Sequence, residues 1–166
     1  MALDSRINVA VIANLTSPLD LATGSVPLSQ SADVPLINGT GSGQADRIWH
    51  DQRTIAASGT DSLDLKGSLL DAFGAAFTPA KLKAIYVKAA SANTNNVVIT
   101  RPSSNGVPWA SAAGDAVPVL PGGVIAWVAP GAGITVTADT GDLIDIVNSG
   151  GGTSVTYDIV LIGTST

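Results

Sequence analysis

The sequence predicts an all-β fold, an antiparallel two-sheet sandwich of jelly-roll type carried behind an extended amino-terminal arm. Three observations predict it. Apolar residues recur mostly at every second position, the period of a half-buried strand. The blocks that carry this period are short and end at Gly, Pro, Asn or Asp, which suit tight reversals. Helical spacing is confined to Leu69, Leu70, Ala72, Phe73 and Ala76, which Gly74 and Pro79 bracket too closely for more than two turns.

Taken in order, residues 1–45 are rich in Ser, Pro, Gly and Asn, with short extended pieces at 7–13 and 34–37. The piece at 7–13 lacks the basic flank and small-residue cleavage site of a signal peptide and reads as a strand. Asn38-Gly39-Thr40-Gly41-Ser42-Gly43 reads as a flexible connection. Residues 1–45 are therefore expected to form the arm and its linker, and 46–166 the sandwich. Two courses stay open for the arm, across its own sandwich or onto a neighbour.

Within the sandwich, 47–57 and 62–65 read as strands, and 67–77 as a loop or one short helical turn. Further strands are expected at 82–89, 96–100, 123–129, 134–138, 143–148 and 154–162. In the last, Val155, Tyr157, Ile159 and Leu161 line one face, and the opposite face turns apolar only at Val160 and Ile162. That end is expected to be central or to meet an interface. Pro121-Gly122-Gly123, Pro130-Gly131-Ala132-Gly133, Asp139-Thr140-Gly141-Asp142 and the 148–152 stretch supply the reversals of an antiparallel meander or half of a Greek key.

Charge excludes some functions. Hydrophobic residues make up 45% of the chain and charged residues 13%, against about 25% charged in an ordinary soluble domain. A surface covered by Ser, Thr, Asn, Gly and Ala repels association weakly, which suits a subunit of an assembly. The net charge of -5 argues against binding a phosphate backbone. The one basic cluster, Lys81, Lys83 and Lys88, is split between strand faces. No apolar run reaches the eighteen or so residues that span a bilayer as a helix, so neither nucleic acid nor membrane is expected as a partner.

Catalytic and metal chemistry finds little material. Cysteine is absent, which removes disulfides, thiolate metal sites and cysteine nucleophiles. The single histidine, His50, follows Trp49 on a predicted strand, and no Gly-x-Ser-x-Gly elbow accompanies it. Gly39 to Gly43 lacks the Lys-Ser or Lys-Thr end of a phosphate loop. Asp139, Asp142 and Asp145 lack the spacing and terminal Glu of a calcium loop. All thirteen acidic residues are aspartates, and Asp61, Asp64 and Asp71 are the group to weigh for glycoside cleavage. With three Trp and two Tyr there is little material for a sugar-stacking groove. No catalytic, cofactor-binding or metal-binding residue is assigned, and Trp109 and Trp127 are expected as interface anchors.

The run Ala45-Asp46-Arg47-Ile48-Trp49-His50-Asp51-Gln52-Arg53-Thr54-Ile55-Ala56-Ala57 is followed by Asp61-Ser62-Leu63-Asp64-Leu65 and Lys83-Ala84-Ile85-Tyr86-Val87. With the Asn-rich turn at 93–96, the Pro-Gly-Gly at 121–123 and the closing Tyr-Asp-Ile-Val-Leu-Ile-Gly of 157–163, it resembles small β-sandwich virion structural proteins of tailed bacteriophages. The resemblance spans roughly 45–163 and leaves the arm outside it. It implies a non-enzymatic subunit of the virion with no catalytic residues. The expected role is that of a capsid decoration or cement protein on the capsid exterior, a homotrimer whose partners are the major capsid protein and copies of itself. A tail, baseplate or fibre-base component and a surface carbohydrate-binding module are the rival expectations.

Overall fold

The computed structural model describes residues 2–67 and 69–166. Its strands are β1 (Ser5–Pro18), β2 (Thr23–Asn38), β3 (Gln44–Ala45), β4 (Arg47–Ile55), β5 (Thr60–Asp64) and β6 (Lys81–Ala89). They continue as β7 (Val97–Thr100), β8 (Ala116–Val119), β9 (Val124–Val128), β10 (Ile134–Thr135), β11 (Leu143–Asn148) and β12 (Val155–Thr164). Among the described residues there is no helix.

Two antiparallel sheets make the body of the molecule. One runs β4-β12-β6, with β9 and β10 both pairing with the far side of β6. The other runs β5-β11-β7-β8. Apart from β7 to β8, and with the two-residue β10 set aside, successive strands from β4 onward cross from one sheet to the other. Each sheet thus interleaves early and late strands, as Greek-key connections do.

Alternation along β12 explains the core. Val155, Tyr157, Ile159 and Leu161 are all buried and meet Trp49 and Ile55 of β4, Val87 of β6, Ile99 of β7 and Ile144 and Ile146 of β11 in one cluster between the sheets. A register shift between Ile162 and Gly163 ends the alternation. Gly163 is required there, because a Cβ would lie 2.4 Å from the Lys81 carbonyl oxygen.

Two elements depart from expectation. β8 is a strand that the sequence hides behind Pro118. It lies at the edge of its sheet, where a missing N–H leaves no ladder bond unmade. The segment 67–77 contains no helical turn among its described residues, and Ser68 lies outside them. Instead Asp71 Oδ1 accepts hydrogen bonds from the Phe73 and Ala75 amides, each at 2.9 Å, and folds a tight turn that buries Phe77. A carboxylate that captures local amides competes directly with a helix.

The arm is a two-stranded hairpin. β1 and β2 pair without a break from Ser5↔Leu36 to Pro18↔Thr23, much longer than the pieces at 7–13 and 34–37. Its connection to the body is a bonded turn. Gly43 N donates to Pro130 O at 2.8 Å, Gly39 N to Ala45 O at 3.2 Å and Gly41 N to Gln44 Oε1 at 2.8 Å. Lys83 is buried and donates its ammonium to Gly41 O at 3.2 Å and to the carbonyls of Pro130 and Gly131. The glycines that suggested a flexible linker instead supply positive φ, +141° at Gly39 and +68° at Gly43.

Candidate interaction surface

The hairpin register sorts its side chains onto two unlike faces, because residues paired across antiparallel strands share a side. One face carries Ile7/Val34, Val9/Ala32, Val11/Gln30, Ala13/Leu28 and Leu15/Val26 as successive cross-strand pairs. The other carries Arg6/Pro35, Asn8/Asp33, Ala10/Ser31, Ile12/Ser29, Asn14/Pro27 and Thr16/Ser25. The first is apolar except for Gln30. The second is mostly polar, with an Arg6–Asp33 ion pair at 3.4 Å and a Ser25 hydroxyl donating to Asn14 Oδ1 at 2.8 Å.

At its root the apolar face is covered. Leu36 and Ala45 pack with Ala84 of β6 and Ile162 of β12, and Leu3, Ile7, Ile48 and Val160 close around them. This small second core lies on the outer face of the β4-β12-β6 sheet and accounts for the apolar end of β12. Farther along, the same hairpin face is bare: Val11 is 58% exposed, Leu15 75% and Val26 67%, and Leu21 at the tip is fully exposed.

The outer sheet face grades from apolar to polar beyond the root. The row Val128–Ala84–Ile162–Ile48 is followed by Ala126–Tyr86–Val160–His50 and then by Val124–Lys88–Asp158–Gln52. Where the arm leaves the sheet, a groove of about 300 Å³ opens between Arg6, Ile7 and Asn8 on one side and Tyr86, Ala126 and Val160 on the other.

The two expected anchors lie away from the bare hairpin face. Trp109 is in the core at 8% exposure, and its indole N–H has no hydrogen-bond partner among the described residues. A core position leaves it almost no area to offer another subunit. Trp127, on β9 at the edge of its sheet, is half-buried against the core and borders the groove. No protein-family model, curated protein or solved structure matches this chain. The interaction surface therefore rests on its own geometry.

Several titratable residues are engaged in structural bonds. Arg53 Nη2 donates to Asp61 Oδ1 at 2.9 Å and its Nε donates to Oδ2, while the Tyr157 hydroxyl donates to Oδ2 at 2.8 Å. Burial alone would raise the Asp61 carboxyl, but the hydrogen bonds from Arg53 and Tyr157 outweigh it and hold it below the usual carboxylate range. Burial, and then the bond to Asp61, push the Tyr157 phenol well above its ordinary value. The Asp61 bond likewise raises Arg53. Burial, with the like charge of Lys81, lowers the Lys83 ammonium.

Asp64 accepts from the Lys66 amide at 2.9 Å and Asp71 caps its turn, so the Asp61, Asp64 and Asp71 carboxylates serve separate structural bonds, the first between sheets and the other two within their own turns. Asp142 accepts from the Asp139 amide at 2.8 Å, and Asp145 from Ser62 at 2.7 Å. Among the described residues, no three His, Cys, Asp or Glu side chains converge as a metal site would require. His50 is exposed on the outer sheet face beside Val160. What this chain presents in quantity is apolar strand surface, and the hairpin carries most of it. The signal was visible as alternation at 7–15 and 26–36, but short polar residues and Pro27 and Pro35 broke its outline in the second strand.

Proposed function

We propose that this chain is a non-enzymatic structural subunit of a tailed-phage virion. In this reading it is a capsid decoration protein that binds the exterior of the major capsid lattice and strengthens it. The observation that carries the reading is a sandwich from which a long hairpin projects with an uncharged, largely bare apolar face. An isolated two-stranded hairpin is marginal in water, so an arm of fourteen paired positions implies a surface that meets other protein. The strand order supports a jelly-roll reading of the sandwich, with β4-β12-β6-β9 opposite β5-β11-β7-β8.

A sugar-binding role needs an exposed aromatic platform, and Trp49 and Trp109 lie in the core. The resemblance of 45–163 to small virion proteins of tailed phages supports a place on the particle. The test is sedimentation of purified protein with capsids of the phage that encodes it, followed by heating or dilution into low salt. Co-sedimentation with greater capsid survival supports the reading. A chain that stays in the supernatant with intact capsids contradicts it.

A further inference from the structure

We infer that the bare apolar face of the β1-β2 hairpin is a self-association surface, on which hairpins of neighbouring copies of this chain pack face to face. Three observations favour a second copy over another occupant. The face continues a contact already made: Ile7 and Leu36, its root residues, sit on the sandwich's second core, and the same strand face runs on uncovered through Val11 and Leu15. It carries no charge along its whole length from Ser5 to Ser17 and from Gly24 to Leu36, the nearest ion pair being on the opposite face. Nothing in it selects a charged partner, whereas an identical face is equally uncharged and apolar over the same length.

The third observation is size. Nine paired rows beyond the root, from Val9↔Ala32 to Ser17↔Gly24, extend roughly 30 Å at about 3.4 Å per row. Two such ribbons stacked about 10 Å apart, as sheets pack, bury on the order of 1,000 Å², the lower bound for a specific interface. The β2 edge of the hairpin is blunted against continuous pairing. Pro27 and Pro35 both lie in β2, eight residues apart, and neither has an N–H to offer a further strand. Pairing of a further strand along the β2 edge is thereby disfavoured. This inference does not depend on the capsid reading.

The test uses the full chain. Analytical ultracentrifugation of the wild type at tens of micromolar is expected to give twice 16.6 kDa. Val11→Asp with Leu28→Asp should reduce it to a single chain, while Ile12→Asp, exposed on the polar face, should leave it unchanged. Because the charged variants risk unfolding the arm, a second experiment keeps the arm intact. The chain has no cysteine, so Ala13→Cys and Ala10→Cys place single thiols on opposite faces. A short bis-maleimide should join Ala13→Cys chains into covalent pairs and leave Ala10→Cys chains mostly single. A monomeric wild type, an oligomer that survives the double substitution, or equal cross-linking of the two thiols would overturn the inference. A monomer that nevertheless binds capsids through its arm would assign the face to the capsid and leave the functional reading standing.

Discussion

The Tyr157 hydroxyl donates to Asp61 Oδ2 at 2.8 Å, and this bond ties β12 of one sheet to β5 of the other. Arg53 grips the same carboxylate from β4. Asp61→Ala strips both donors of their acceptor while Tyr157 stays fully buried, and should cost about 2 kcal/mol. Tyr157→Phe removes one donor only and should cost about 1 kcal/mol. Urea unfolding of the two variants tests the order, and a smaller loss for Asp61→Ala than for Tyr157→Phe would contradict it.

The same carboxylate sets an acid limit. Its folded pKa lies below the unfolded value, so in the window between them the unfolded chain binds more protons and stability rises with pH. The contribution is complete above the ordinary aspartate value of about 3.9 and is lost as pH falls through the lower folded value. Unfolding free energies from pH 6 down to pH 2 should therefore fall less steeply below about pH 4 in Asp61→Asn than in the wild type. Parallel acid limbs would refute the assignment.

The arm's root depends on Lys83. Its ammonium gathers three carbonyls from the turn at Gly41 and the turn at Pro130 and Gly131, with no carboxylate among them. Lys83→Met keeps the apolar stem and removes the donors; Pro130 O keeps the Gly43 amide and Gly41 O the Gln44 amide, so the Gly131 carbonyl is the one left without its partner, at a cost of about 1–3 kcal/mol. The effect should concentrate at the root. The Gly43 amide, bonded to Pro130 O, should lose hydrogen-exchange protection while amides of β11 keep theirs.

The tryptophans should separate in their effects. Trp109→Ala empties a core site and should cost about 3–5 kcal/mol with no direct effect on assembly. Trp127→Ala, at a sheet edge and half-buried, should cost less. Thermal melts paired with the association assay distinguish the two. A Trp109 variant of native stability would contradict its place in the core.

Much of the body was legible from alternation. Val155, Tyr157, Ile159 and Leu161 read as one buried face and are one, and the apolar end at Val160 and Ile162 marked the contact with the arm. What the sequence concealed has physical causes. Pro118 hid β8 because a proline is tolerated at an edge that sequence reading cannot identify as an edge. Asp71 turned a stretch of helical spacing into a tight turn by capturing two amides. Gly39 and Gly43 looked like slack and serve as left-handed turn positions. The hairpin shows in the sequence only as short pieces because its polar face alternates with its apolar one through Ser29, Ser31 and Asp33, the pattern of a strand with one side in water. Tryptophan is the residue that sequence alone marks as an interface anchor, yet here Trp109 fills the core and aliphatic residues of the hairpin cover the exposed face.

We propose this chain as an assembly subunit on the outside of a phage capsid. A cryo-EM map of the virion that encodes it tests this most directly. Density for the two-sheet body is expected over the exterior of the capsid lattice, with the β1-β2 hairpins of adjacent copies converging on one another. Density confined to the tail or baseplate, or a particle that lacks the chain altogether, would contradict it.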